Sequence, residues 1–443
     1  MKKPVVRTHK LWDSLLKYAI AAILVFIPLY PKFPIFAVAS TYVEIRAEDF
    51  LIAAVWGIFF LRFLVVKKIK FPPITFQIVI YLLVGLLSLL SAFFITKNIV
   101  TSVGILHLLR RVEYMSLFFL VYWTCKEFSC QKYFLELTLV VAVGVLLYGL
   151  AQIYFKAPVI STMDAEASKG MALILRPGVP LSSTFAGHYD LAAYLVMILS
   201  FLTAIACSVK SWFKRLPLIV FFAALLWLFM QASSRISLVG LFLSVTLICY
   251  LYRRYVLGVI LLVVMSAFII TSPEIIGRFQ SIIKVFTSQV LLVQPAFAIA
   301  KVTPTATPTA VPTEALRAIQ QDTSTSIRFD VEWPMAMRSF FKNPLLGTGY
   351  STLGLASDND YLRSLGETGL LGIIAFLSIL LALFNKLKSG LRNQEGLHKI
   401  LVVSALGIFV SFIVSAVFLD VFESSKIAIL FWSFMGLALS TKS

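Results

Sequence analysis

Two stretches of this chain bring together groups able to hold an anion and to move a proton. The first, NPLLGTGYSTLGLASDNDYLRSLGETGLLG from Asn343 to Gly372, is punctuated by glycine. It carries Asp358, Asp360, Arg363 and Glu367 just before an apolar run. The second, ILRPGVPLSSTFAGHYDLAAYL, places Arg176 in a turn, then His188 and Asp190 at the start of another apolar run. A carboxylate or imidazole beside a hydroxyl substrate serves as a general base. A guanidinium grips phosphate oxygens in bidentate fashion, which lysine cannot do.

Further arginines extend the pattern. Arg235 in QASSRISLVG and Arg328 in TSIRFDVEW both lie in segments flanking apolar runs. LHLLRRVEY puts His107, Arg110, Arg111 and Glu113 inside an otherwise hydrocarbon-like helix. Each such charge costs about 2.5–3.5 kcal/mol at membrane depth, so it needs a partner or a cavity. Simpler roles stand beside the chemical ones. Arg110 and Glu113 have the spacing of a local helical pair, which leaves Arg111 over. Isolated arginines snorkel to headgroups, and Asp190 or Asp358 could serve only as a helix cap.

The elements that must position these residues are membrane helices. Of 443 residues, 60% are hydrophobic and only 14% charged, and the mean hydropathy is +0.92. A soluble domain carries about a quarter charged residues. The pattern predicts an all-α polytopic protein with about twelve spans of roughly 20 residues: 14–34, 48–66, 73–95, 99–125, 133–155, 188–209, 216–234, 236–252, 255–272, 368–386, 400–419 and 425–440. The basic N-terminus lacks a small-residue cleavage site after its apolar run, so that run reads as the first span rather than a signal peptide.

Orientation follows from the net charge of +18, because Lys and Arg gather in alternate short connections. The positive-inside bias then puts both termini in the cytoplasm and the protein in the cytoplasmic membrane, among anionic lipids rather than on nucleic acid. Residues 1–272 hold spans one to nine, with an external loop at 156–187. Residues 273–367 form a large external loop with a Thr/Pro-rich insert at 303–314 and an interfacial helix, and residues 368–443 hold spans ten to twelve. Repeated Thr-Pro supports neither helix nor central strand. Trp333 and alternating basic and apolar positions mark the interfacial helix.

Several chemistries are absent from the pattern. There is no nucleotide loop, dinucleotide fingerprint or paired metal-ligand motif, so neither a cofactor nor a metal is expected. With four histidines in the chain, an imidazole-based metal site is disfavoured. Cys125, Cys130, Cys207 and Cys249 all fall near cytoplasmic span ends and read as small apolar fillers without a disulfide framework.

Four segments then resemble one family, the O-antigen ligase and O-antigen polymerase superfamily of bacterial envelope glycosyltransferases. SIRFDVEWPMAMRSFFKNPLLGTGY resembles its arginine, aromatic helix and Pro-Leu-Gly-x-Gly segment. DNDYLRSLGETGLLG resembles its His-Asn-x-Tyr-Leu and Glu-x-Gly elements, STFAGHYDLAAYL its Thr-Phe-Gly element, and ASSRISLVG its Ser-Arg turn. The resemblance implies transfer of a glycan from undecaprenyl pyrophosphate to a glycan, lipid or protein acceptor at the outer membrane face, as in lipopolysaccharide assembly, without metal or nucleotide. It implies pyrophosphate binding by Arg176, Arg235 and Arg328, with Arg110 and Arg111 as further candidates. Asp358 stands where ligases carry histidine, which makes it the first candidate base, ahead of Asp360 and His188. That departure brings a polymerase, or a ligase for another acceptor, level with ligation to lipid A-core. An alternative of another class is a lipid-linked oligosaccharide flippase or secondary transporter. Such proteins usually join their halves by a long cytoplasmic connector, whereas the connector here is only VKSWFKRL.

Overall fold

The computed structural model describes residues 4–37, 44–66, 71–97, 101–159, 173–174, 179–270, 327–353, 358–391 and 395–441. Arg176 and the Thr/Pro-rich insert at 303–314 lie outside them. The described helices are α1 (Pro4–Leu29), α2 (Ala47–Val66), α3 (Thr75–Ser91), α4 (Thr101–Phe128), α5 (Gln131–Tyr154), α6 (His188–Ser208) and α7 (Trp212–Gln231). They continue as α8 (Arg235–Leu251), α9 (Tyr255–Ile270), α10 (Trp333–Lys342), α11 (Asp360–Ser389), α12 (Gly396–Ser415) and α13 (Ser425–Leu439). Two short antiparallel ribbons, β1 (Pro34–Ala37) with β2 (Glu44–Arg46) and β3 (Pro158–Val159) with β4 (Leu173–Ile174), edge the bundle.

Seven of these helices are long and apolar enough to cross a membrane: those containing Trp12–Leu29 and Thr75–Thr96, together with α5, α6, α7, α11 and α12. Helices α8, α9 and α13 are apolar but shorter. Length and composition therefore support a polytopic all-α protein without fixing the count at twelve.

Helix α6 is the axis of one half. Almost all of its side chains from Leu191 to Cys207 are buried, against α7, α8 and α12. Small residues allow the close approach that packing between apolar helices requires. Gly240 of α8 faces Ser411 of α12, and Gly407 of α12 faces Ser244 and Ile248 of α8. Ser200 and Ser244 join their hydroxyls at 2.6 Å. In the other half, α13 lies along α4 and α11 along α3.

The four cysteines are buried and free, as fillers should be. They nonetheless face each other in pairs, Cys125 with Cys130 at 2.8 Å and Cys207 with Cys249 at 3.7 Å.

The feature that shapes the site is a broken helix. α11 begins at Asp360, eight residues ahead of the expected span start, but Gly369 within it has φ 68° and ψ −166°, which is not helical. A break in a helix frees backbone groups that hydrocarbon cannot satisfy. Here the glycine-rich segment before α11 satisfies them. Thr348 and Gly349 donate their N–H groups to the carbonyls of Gly366 and Glu367 at 3.1 and 2.9 Å. In return, Leu370 and Leu371 donate to Pro344 and Leu345 at 2.8 and 3.2 Å. Gly347, φ 68°, and Gly369 are where the two strands of backbone touch, and a Cβ on either would collide with the other's neighbours. Both positions require glycine.

Candidate active site

The charged residues collect at the end of the bundle where α6, α11 and α13 begin and α12 finishes. They fall into two groups with different surroundings.

The inner group is built on Arg111. Its Nη2 lies 3.1 Å from Glu367 Oε2 and 2.6 Å from Glu423 Oε1. Its guanidinium carbon sits 4.0 Å from the centre of the Tyr350 ring. Glu367 Oε1 accepts the N–H of Ser351 at 2.9 Å. A residual void of about 10 Å³ beside Arg111 is bounded by Tyr81, Asp360 and Glu423, which is room for about one water molecule. Three elements, α4, α11 and the α12–α13 loop, are thereby cross-linked by ion pairs. The local Arg110–Glu113 pairing that would leave Arg111 over does not describe this arrangement. Arg110 instead donates to the Glu44 carbonyl at 2.8 Å. Successive residues of a helix diverge by about 100°, so the two arginines serve different faces of α4.

Asp360 belongs to the same interior. Its Oδ2 accepts the N–H of Phe422 at 3.1 Å, and its own N–H donates to the Ala416 carbonyl at 3.0 Å. It anchors the α12–α13 loop. The N-cap of α11 is Asn359, whose side-chain oxygen accepts the Leu362 N–H at 2.9 Å. The capping role open to Asp358 is therefore taken by its neighbour. Asp190 does not cap α6 either: the N-cap there is Gly187, without a side-chain cap bond.

The outer group forms a rim. Arg328, in a π-helical turn at Arg328–Glu332, pairs with Asp358 at 2.7 Å. The Arg328 side chain is 6% exposed and the Asp358 side chain 33%, so the carboxylate is the member offered to the outside. Glu332 Oε2 accepts the Asp358 N–H at 2.9 Å, and burial raises the proton affinity of Glu332. Arg328 stands 5.6 Å from the Tyr189 ring centre, and the His188 ring lies 4.0 Å from that of Tyr189. Asp190 accepts the Ser424 hydroxyl at 2.6 Å and lies 3.6 Å from the Lys32 ammonium. Arg235 opens α8 at this same end, half-buried.

One residue completes the rim without having any sequence motif around it. Asp420 lies in the nine-residue α12–α13 connection, AVFLDVFES. Burial pushes its carboxyl up to about 7, and the nearby Asp358 and Asp190 carboxylates add to the rise against the pull of Arg363. A carboxyl poised there can take up or release a proton at neutral pH. Two acids in so short a connection between apolar helices was the available signal for Asp420 and for Glu423.

The structure thus brings Asp358, His188 and Arg328 to one rim with Asp190 and Asp420, and puts Asp360 and Arg111 in the interior beside it. Arg110 lines a separate cavity against α2. No curated protein matches the chain. Residues 219–377, which include Arg235, Arg328, Asp358, Asp360 and Glu367, match the family model for O-antigen ligase, and the match supports the resemblance to the O-antigen ligase superfamily.

Proposed function

We propose that the chain is a glycosyltransferase that moves a glycan from a polyprenyl pyrophosphate carrier to an acceptor hydroxyl at the rim described above, on the outer face of the cytoplasmic membrane. The observation that carries the reading is the coincidence of two things. The O-antigen ligase match covers the broken helix and its two rim residues, Arg328 and Asp358. A carboxyl with a proton affinity of about 7, Asp420, faces the same rim.

In this mechanism Asp420 takes the proton of the acceptor hydroxyl as its oxygen attacks the anomeric carbon. The bond from that carbon to the pyrophosphate oxygen breaks, and the carrier pyrophosphate leaves with the electron pair. Arg235 and Arg176 hold the pyrophosphate, with Arg328 contributing through its free donors. Asp358 is not given the base role, because its carboxylate is already engaged by the Arg328 guanidinium at 2.7 Å. Its role is to hold Arg328 and orient the acceptor. Arg111, which already carries two carboxylates, holds α4, α11 and the α12–α13 loop together. The chemistry needs no nucleotide, since the lipid pyrophosphate is itself the leaving group. A polymerase of the same superfamily would use the same steps with a lipid-linked glycan as acceptor.

Purified protein in liposomes, given polyprenyl-pyrophosphate glycan and a hydroxyl acceptor in chelator, should release polyprenyl pyrophosphate in step with glycosylated acceptor. Movement of intact donor across the bilayer without release of pyrophosphate would make the protein a flippase and overturn the reading.

A further inference from the structure

A cavity lies between α2 and α4, and the reaction proposed above makes no use of it. Its volume is about 640 Å³, within the range of small-molecule and lipid sites. Its polar lining is confined to Glu44, Asp49, Arg110, Glu113 and Ser116, and the remaining lining is apolar, including Ile52, Trp56, Leu109 and Val112. Asp49 is in the first turn of α2 and Trp56 is seven residues further along it. At 1.5 Å per residue that is roughly 10 Å of depth. The cavity therefore has a charged mouth at a helix end and a hydrocarbon wall running inward, the profile of a lipid seated head-up.

The mouth is charged in a way that selects the head. Arg110 makes a single hydrogen bond among the described residues, to the Glu44 carbonyl at 2.8 Å. Around this one guanidinium stand the carboxyls of Asp49, Glu113 and Glu48, the last 3.9 Å from Arg46, and Glu44 shares the cavity lining. Arg46 offsets Glu44 from 4.0 Å, which leaves Asp49 and Glu113 as the acids facing the cavity. Glu113 is buried with its carboxyl within hydrogen-bond reach of Asp49, so the two acids form one adjacent pair. One phosphate suits Arg110, whereas a diphosphate would meet two carboxylates for each guanidinium. The two acids call instead for a cation that donates hydrogen bonds.

We propose that this cavity binds an amine-headed glycerophospholipid of the phosphatidylethanolamine class. The phosphate rests on Arg110, the ammonium donates to Asp49 and Glu113, and the acyl chains lie along Trp56, Leu109 and Val112. A choline head carries the same charges but has no N–H to give, and a glycerol head has no cation. The site thereby reads the membrane's zwitterionic amine lipid on a different face of α4 from Arg111, splinting α2 to α4. It stands independently of the glycosyl-transfer reading.

The test is lipid retention by native mass spectrometry of the full chain, with equimolar phosphatidylethanolamine, phosphatidylcholine, phosphatidylglycerol and undecaprenyl pyrophosphate. The proposal expects phosphatidylethanolamine to be retained over each competitor by about tenfold, the worth of one charge-assisted hydrogen bond pair. Glu113→Gln combined with Asp49→Asn should remove that preference. Ala53→Trp, which fills the apolar wall without touching a charge, should lower retention of every lipid and covers the case in which the charge variant fails to fold. Equal retention of the choline or glycerol lipids, preferential retention of the pyrophosphate, or unchanged retention in both variants would overturn it.

Discussion

The interior cluster around Arg111 and the rim around Arg328 are made from the same residue types, yet they are suited to opposite tasks. In the interior, one guanidinium satisfies two carboxylates and an aromatic face, and no carboxylate oxygen of Glu367 lacks a partner. At the rim, one guanidinium meets Asp358 while Asp420 and Asp190 crowd the same field. Carboxylates that each meet a donor make a joint. A buried carboxyl crowded by others makes a group that holds a proton near neutrality. Burial of charge by itself does not distinguish structural from chemical residues; how completely each charge is paired does.

The comparison is broken most severely at Glu367. Replacing it by alanine leaves Arg111 short of a partner in the interior, and removing one member of a buried ion pair costs about 3–5 kcal/mol. The expected outcome is loss of monodisperse protein on gel filtration in detergent. A Glu367→Ala protein with unchanged melting temperature would show that the interior cluster is hydrated and does not serve as a joint.

Asp420→Asn sharpens the comparison from the other side. Turnover should fall by roughly 10²–10⁴-fold, the usual contribution of a general base, while the protein stays folded. The wild-type rate should decline below about pH 7 as Asp420 takes up its proton, and that limb should vanish in the variant. Stability moves the other way. Between the ordinary aspartate value and about 7, the folded chain holds a proton that the unfolded chain has released. This group's contribution to stability is therefore present at low pH and lost as pH rises through that window. Thermal melts of the wild type and of Asp420→Asn across the range would show the slope and its removal.

Asp358 should give the smallest effect. Because Asn359 caps α11, Asp358→Asn and Asp358→Ala should melt alike, within about 1 kcal/mol of the wild type for a partly exposed pair. Their kcat/KM should drop by roughly tenfold or less through misplacement of Arg328. A complete loss of turnover in Asp358→Asn, with Asp420→Asn active, would transfer the base to Asp358.

Much of the architecture was legible in the sequence because hydrocarbon helices announce themselves by length. The 343–372 segment also stood out, since glycine and acids beside an apolar run are expensive unless they are used. What escaped was partnership. Arg111 reaches Glu367 and Glu423, respectively 256 and 312 positions away along the chain, and no local spacing encodes such a pair. Asp420 escaped for the same reason: its proton affinity is created by burial and by residues of α6 and the α11 approach. The glycine pair 347 and 369 was visible, but not that each exists for the other.

The broken helix also has a mechanical consequence. Four backbone hydrogen bonds clamp residues 344–349 to residues 366–371, so the two ends of the break cannot swing independently, and α10 is carried with them. The break in α11 is a weld rather than a hinge. Any widening of the rim to admit two large substrates must then come from the α12–α13 loop, whose polar holds on its surroundings are the side chains of Asp360, Asp190 and Arg111 and the Asp360 N–H on Ala416. The loop that carries the proposed base would be the part that moves, so opening the site and positioning Asp420 would be one event.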